Sequence, residues 1–185
     1  MPGVSETAAR YGTIAAGFTD RLVSIDPEQW SARTPCPDWS VRDLVVHVIN
    51  TQCRVMTRFD DIVPVEVEPD GDLLTQWQAV SGAVTEAVGD DTRAATVVGG
   101  MFGEQPFESL VGRMVCTDLL VHTWDLARAT GQDERLDPGA VSSAEAFLAS
   151  IDDNIRVPGG FADKITPSPQ ADAQTRFLNF AGRAV

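Results

Sequence analysis

The sequence is poor in basic residues and contains no long run of hydrophobic residues. Its 14 Lys and Arg are outnumbered by 27 Asp and Glu, which gives a formal net charge of −13. Such a chain repels phosphates, so we expect no nucleic-acid partner and no membrane partner. No apolar run approaches the roughly 20 residues of a spanning helix, and the N-terminus lacks the basic and apolar regions of a signal peptide. We therefore expect a cytoplasmic protein.

Cysteine and histidine are also scarce. The three cysteines, Cys36, Cys53 and Cys116, are odd in number and widely spaced, which argues against a disulfide framework. No C-x-x-C pair is present, so a zinc site built from thiolates is not expected. We expect the thiols of the cysteines to be inert. The role of Cys36, which lies in the stretch TPCPDWS, is left open. The chain contains only two histidines, His47 and His122.

The residues that are present suit a soluble helical domain. Hydrophobic residues make up 43% of the 185 positions, enough for a core. We expect one domain, 1–185, of the all-α class: a four-helix bundle over about 1–131 and a helical, partly irregular C-terminal extension over about 132–185. The Gly-rich stretch near position 100 is either a small extended segment or a loop. Apolar spacing and capping residues predict helices at about 5–24, 40–59, 73–88 and 107–130, with shorter ones after Pro138 and at 171–182.

The fourth predicted helix carries two polar residues on its apolar stripe. Asp118 and His122 are four residues apart and therefore share a face with Val111, Met114, Val115, Leu126 and Ala129. A buried unpaired carboxylate is costly, so Asp118 must be paired or must coordinate a cation. D-x-x-x-H on one helix can bind one metal, and His47 is the histidine left to supply a third ligand. The alternative is an intrahelical hydrogen bond with a packed histidine.

Neighbouring residues add to both interpretations. Asp43, Asn50, Thr51 and Arg54 place a polar edge beside His47, which is typical of a pocket wall. Asp125 could accept the N–H of a ligand ring; the alternative is a solvated charge paired with Arg128 or Arg113. For Trp39 and Trp124 the pattern favours core packing over a platform for a ligand.

Two stretches resemble a known family. TPCPDWSVRDLVVHV and DLLVHTWDLARATG are similar to motifs of the actinobacterial branch of the DinB-like metalloproteins, which is related to the mycothiol-dependent maleylpyruvate isomerases. The resemblance implies a DinB-like four-helix bundle that binds Zn, with Ni, Fe or Mn as alternatives. It also implies His47, Asp118 and His122 as the metal ligands. Many relatives have Glu where this chain has Asp118.

Three hypotheses for function follow. The first is a metal-dependent enzyme that uses a low-molecular-weight thiol such as mycothiol for thiol transfer or for isomerisation of a small electrophile. The second is a non-catalytic metal-binding module for stress response, and the third is a non-haem Fe(II) site that activates oxygen. The expected partners are a small thiol and a small electrophile, and a homodimer is left open. Arg42 and Arg54 could help to hold the thiol, although pairing with surface Asp residues is favoured for each.

Overall fold

A computed structural model describes residues 5–100, 103–156 and 161–185. The structure is mostly helical, which confirms the all-α class. Residues 1–4, 101–102 and 157–160 lie outside the described residues. They contain the first residues of the predicted bundle, the tip of the Gly-rich stretch and part of the irregular C-terminal segment. The chain divides into two compact units, one through Glu134 and one from Arg135. The assignment of 1–185 to one domain stays a prediction.

The first unit is built on four long helices that close into a ring. The long helices are α1 Glu6–Val23, α2 Val41–Met56, α3 Leu73–Gly89 and α6 Cys116–Thr130. Helix α1 packs against α3 and α6, and α2 packs against the same two helices, so α1 lies opposite α2. The histidines are carried by α2 and α6, which are therefore neighbours in the ring.

Shorter elements connect these helices. A 3-10 helix, Pro27–Ser31, follows α1, and α4, Asp91–Ala95, follows α3. The Gly-rich stretch forms a two-stranded antiparallel sheet of β1, Val97–Gly100, and β2, Gly103–Pro106, with Val97 opposite Pro106. The first of the two alternatives for this stretch is therefore the one observed.

Aromatic residues and two hydrogen bonds lie in the centre of the ring. The rings of Phe18 and Trp77 meet edge to face with centroids 4.8 Å apart, and both side chains are fully buried. The Trp77 indole N–H donates to Thr19 Oγ1 at 2.8 Å, so its polar edge is satisfied. Between the opposite helices α1 and α2, the buried Tyr11 hydroxyl donates to Gln52 Oε1 at 3.0 Å. Because a hydrogen bond is directional, this contact restricts the orientation of α1 relative to α2 in addition to the packing of apolar side chains.

The fourth predicted helix is continuous but does not have one period. It begins as α5, Phe107–Leu110, passes through a π-helical turn, Val111–Val115, and continues as α6. A π turn contains an extra residue, so a face cannot be extrapolated through it at 3.6 residues per turn. Met114, which was expected on the Asp118 face, is only half-buried. The helix ends as predicted at Gly131, whose φ of 68° is the left-handed conformation that glycine adopts freely.

The second unit contains α7, Pro138–Ile155, and α8, Ala173–Phe180, which pack against each other. Each helix starts at an aspartate whose side chain accepts a backbone N–H, Asp137 for α7 and Asp172 for α8. Across both units, no described helix has the length and apolar character needed to cross a bilayer.

Ser40 controls the start of α2, the helix that carries His47. Its hydroxyl accepts from the Asp43 backbone N–H at 3.2 Å, and Asp43 accepts in return from the Ser40 N–H at 2.9 Å. Ser40→Ala removes this cap, so we expect the free energy of unfolding to fall by about 1 kcal/mol and Tm to fall by about 2–4 °C. Thermal melts monitored by circular dichroism measure the change.

Ser81→Ala is the matched control, since it removes the same atoms inside α3, where the hydroxyl donates only to the Gln78 carbonyl. Alanine favours the helix interior, so Tm should stay constant or rise. Equal losses in both variants would mean that the Ser40 cap has no special importance.

Candidate metal centre

Three side chains from α2 and α6 meet where these helices are in contact. His47 comes from α2, and Asp118 and His122 come from successive turns of α6. Asp118 Oδ1 lies 3.5 Å from His47 Nε2 and 3.6 Å from His122 Nε2. The two imidazole rings are 4.9 Å apart and nearly perpendicular. The structure therefore brings together all three residues that the sequence singled out, and their role as metal ligands stays a prediction.

Two of the three separations between the candidate ligand atoms are compatible with a tetrahedral divalent cation. Metal–ligand bonds of about 2.0–2.1 Å place the corners of a tetrahedron about 3.3 Å apart, close to the observed separations of 3.5 and 3.6 Å. Asp118 Oδ2 is buried and has no hydrogen-bond partner in the described structure, although carboxylate oxygens normally find donors. A cation between the three residues would compensate this charge.

His122 is held from behind by a buried carboxylate. Its Nδ1 lies 3.0 Å from Asp125 Oδ2, and the Asp125 side chain is fully buried. Because an ionised carboxylate can only accept, this contact favours the tautomer in which Nδ1 carries the ring proton and Nε2 faces Asp118. This distance is compatible with Asp125 as the acceptor of a ring N–H, and that role stays a prediction. The alternative of a solvated charge is wrong, because Asp125 is enclosed and Arg128 pairs instead with Glu134.

Cys36 reaches the same carboxylate from a different segment. Its sulfur lies 3.3 Å from Asp125 Oδ2 and 3.9 Å from His122 Nδ1, so Cys36, His122 and Asp125 form a second group that could hold a metal ion. The other two thiols lie elsewhere. Burial raises the pKa of Cys53, and it raises the pKa of Cys116 to about 11 against a weaker opposing effect of Arg10. Both thiols are therefore poor nucleophiles, as the sequence led us to expect.

Trp39 lies at the open side of the site. Its ring centroid is 4.6 Å from that of His47 and 5.9 Å from that of His122, and the side chain is only half-buried. The expectation that Trp39 belongs to the core is therefore wrong. A tryptophan that immediately precedes a helix cap can reach the first turns of that helix, which was the signal available in the sequence. Trp124 does lie in the core, with 1% of its surface exposed.

A cleft of about 360 Å³ opens beside His47. It confirms the pocket wall predicted on α2, apart from Thr51, which is absent from the lining. Arg54 is exposed and donates to Thr51 Oγ1, while Arg42 donates to the Pro69 carbonyl and lies over the Trp30 ring. For neither arginine is an ion pair with an acid found among the described residues. The side chains that line the cleft are Trp39, Asp43, Val46, His47, Asn50 and Arg54.

Comparison with known proteins shows the family of the chain. The sequence profile of the mycothiol maleylpyruvate isomerase N-terminal domain family matches residues 11–127, a range that contains His47, Asp118 and His122. The chain belongs to this family. Two uncharacterised Mycobacterium tuberculosis proteins, MT0763 and Rv0738, are each 31% identical to it over 170 residues, which cover 91% of this chain and 92% of theirs. No solved structure gives a significant match.

The matched range of this isomerase N-terminal domain family includes all five residues of the two candidate groups. It starts in α1 and ends in α6, so it covers the ring of helices together with the loop that carries Cys36 and Trp39. The resemblance seen in the two sequence motifs is thereby confirmed over most of the first unit. The family's description names mycothiol, and the structure contains two groups of side chains that could hold a metal ion.

Asp118 and His122 shift each other's pKa in the metal-free protein. Burial alone lowers the pKa of His122, but the Asp118 charge, the hydrogen bonds that the ring donates to Asp118 and Asp125, and the contact with Cys36 raise this pKa well above its ordinary value. Burial raises the pKa of Asp118, but His122 and His47 lower it more, so the carboxyl stays below its ordinary value. These pKa shifts favour an ion pair between an ionised Asp118 and a protonated His122 whenever no metal is bound.

This ion pair predicts opposite pH dependences for the metal-free and metal-loaded proteins. The raised pKa of His122 stabilises the metal-free fold fully below pH 6.5, and that contribution is lost as the pH rises through the folded-state pKa. A metal needs the unprotonated ring, so apparent metal affinity should rise by up to about tenfold per pH unit over the same range.

The measurement is the increase in Tm caused by metal, recorded from about pH 6 to 8 against a chelated sample. We expect the increase to grow with pH, because the metal-free protein loses the ion pair while the metal displaces fewer protons. An increase in Tm that stayed constant over this range would contradict a site that includes His122.

Proposed function

We propose that this protein is a divalent-metal-dependent enzyme that binds a low-molecular-weight thiol, with mycothiol as the favoured one, and uses it on a small electrophile. Zinc is the favoured metal, held by His47, Asp118 and His122. The observation that carries the proposal is the cleft: one ligand candidate, His47, lines its wall, so the metal position would face a volume large enough for small molecules.

The donor set suits this chemistry. Two neutral imidazoles and one carboxylate leave roughly one positive charge on a divalent ion and at least one coordination position open. Bound there, the ion would lower the pKa of a thiol and hold it as a thiolate. No thiol of the chain competes from the cleft wall, since none of the cysteines lines it.

The residues that line the cleft are better suited to positioning a ligand than to transferring a proton. Asp43, the acid in the cleft wall, accepts from the Ser40 side chain and backbone, and these bonds keep its pKa below the ordinary value. It is therefore a weak base. The half-buried Trp39 ring covers His47 and offers an apolar face to a ligand in the cleft. Arg54 lines the cleft from a later turn of α2 than Asp43 and Asn50, and its guanidinium can bind an anionic or hydroxylated group.

A non-catalytic metal-binding module is the second candidate. The weak basicity of Asp43 favours it, because no strong general base stands in the cleft wall. A module that only buffers metal does not need a cleft beside the ion, however. We therefore rank the thiol-dependent enzyme first and use ligand binding to separate the two functions.

Metal content tests the ligand set. We expect about one equivalent of divalent metal per chain in the wild type and a strong loss in His47→Ala, Asp118→Asn and His122→Ala, because each removes a donor that the other two cannot replace. Asp118→Glu should keep most of the metal, since the longer side chain still offers a carboxylate. Elemental analysis after gel filtration gives the measurement.

Asp61→Asn is the control, since Asp61 is a surface carboxylate paired with Arg93. It should leave the metal content unchanged. If His122→Ala retained one tightly bound equivalent while its circular dichroism stayed native, the assigned ligands would be wrong.

Cobalt substitution tests the thiol. Titrating the Co(II)-loaded protein with mycothiol or a simpler thiol should produce an intense sulfur-to-cobalt charge-transfer band, because an anionic sulfur suits the residual charge of the ion. The control is the alcohol analogue of the same compound, which should give no such band. With cobalt still bound, a spectrum unchanged by millimolar thiol would favour the binding module.

A further inference from the structure

The loop before α2 contacts both histidines. The proposed function gives a role to Trp39 of this loop but none to Cys36. The loop spans Arg33 to Ser40, whose backbones form an isolated antiparallel bridge. Inside it, the Thr34 N–H donates to the Trp39 carbonyl, and the Trp39 N–H donates to the Cys36 carbonyl. Asp38 adopts a φ of 65°, a left-handed conformation that aspartate tolerates. This closed loop directs Trp39 to His47 and Cys36 to Asp125.

Cys36 is held in place before it meets Asp125. Its backbone N–H donates to Thr34 Oγ1 at 3.2 Å, and the Thr34 hydroxyl donates to the Trp39 carbonyl at 3.0 Å. The Cys36 side chain has only 8% of its surface exposed. A thiol fixed at 3.3 Å from Asp125 Oδ2 is at hydrogen-bond distance for sulfur, with the S–H as donor.

Asp125 thus receives donors from two directions on one oxygen. Oδ2 accepts the ring N–H of His122 at 3.0 Å and the thiol of Cys36 at 3.3 Å. If the carboxylate were free to rotate, His122 could lose its partner and turn its Nε2 away from Asp118. A second donor from a loop that is separate from α6 restricts that rotation.

We propose that Cys36 is a positioning residue of the metal centre: its thiol orients Asp125, and Asp125 orients the His122 ring so that Nε2 points towards Asp118 and His47. The proposal rests on the proposed metal site. It assigns a role to the TPCPDW stretch, in which Cys36 restrains one histidine through Asp125 while Trp39 packs on the other.

The same three residues could instead ligate a metal themselves, as Cys36, His122 and Asp125 form a compact buried group. Two observations favour the positioning role. His122 Nδ1 and Asp125 Oδ2 are at normal hydrogen-bond distance, which requires a proton between them. The ring's other nitrogen faces Asp118, and a single imidazole cannot give both nitrogens to cations without losing its ring proton.

The test compares metal affinity in four proteins by competition with a chelator: wild type, Cys36→Ala, Cys36→Ser and Cys116→Ala. Outer partners of metal ligands are typically worth about 10–100-fold in affinity. For Cys36→Ala we expect the lower end, about tenfold weaker binding. Cys36→Ser keeps a donor and should stay within about threefold of the wild type. The visible spectrum of Co(II) in Cys36→Ala should also change, because the His122 ring is less well fixed.

Cys116→Ala is the matched control, since Cys116 is as buried as Cys36 and lies on α6 itself, yet it belongs to neither candidate group. It should bind metal like the wild type. Equal weakening in both alanine variants would reduce the effect to general packing and overturn the proposal. Wild-type affinity and an unchanged cobalt spectrum in Cys36→Ala would overturn it as well.

Two further readouts keep the test decisive. If Cys36→Ala does not fold, the infrared S–H stretching band of wild type, identified by its loss in Cys36→Ser, should respond to metal loading; a band that metal leaves unchanged overturns the proposal. A sulfur-to-cobalt band in the wild type without added thiol would make Cys36 a ligand, which also overturns it. If the wild type binds no metal, the proposed function fails; if only the Cys36 results disagree, the metal site stands.

Discussion

The negative charge of Asp118 is the constraint on which the site depends. A carboxylate where two helices are in contact must be compensated, and its Oδ2 finds no donor in the described structure. A proton on His122 or a divalent cation can supply the compensation, and the two compete for the same ring nitrogen. Because His47 and His122 come from different helices, the compensating charge also links α2 to α6. Ion binding at these three residues would therefore be coupled to the packing of α2 against α6.

The two sides of the site have different tasks. On the buried side, the Cys36 thiol and the His122 ring both lie at hydrogen-bond distance from Asp125, and we propose that these contacts orient the ring. On the other side, Trp39 and the polar residues Asp43, Asn50 and Arg54 of α2 border a cleft through which a ligand can approach. One loop contributes to both sides, since Cys36 and Trp39 are only three residues apart. The same loop thus joins the buried contacts of His122 to the wall of the cleft.

Sequence patterns were sufficient for most helices and for the clustering of the three candidate ligands. Helices α1, α2 and α3 keep an unbroken apolar period, and local chemistry marks the ends at Ser40 and Gly131. Rarity identified His47 and His122, because imidazole occurs nowhere else in the chain. The contact between Cys36 and Asp125 joins residues 89 positions apart and leaves no local pattern. Trp39 was misassigned because an aromatic ring suits a core and a cleft wall equally well.

The π-helical turn at Val111–Val115 makes the site sensitive to chain length as well as to residue identity. Each residue of a helix advances the chain by about 100° around the axis, so the extra residue sets the angle between α5 and the face of α6 that carries Asp118. A single-residue deletion within the turn would preserve every proposed ligand and still rotate Asp118 and His122 together relative to α5. Among relatives, a gap in this turn would therefore be as informative about the centre as a changed histidine.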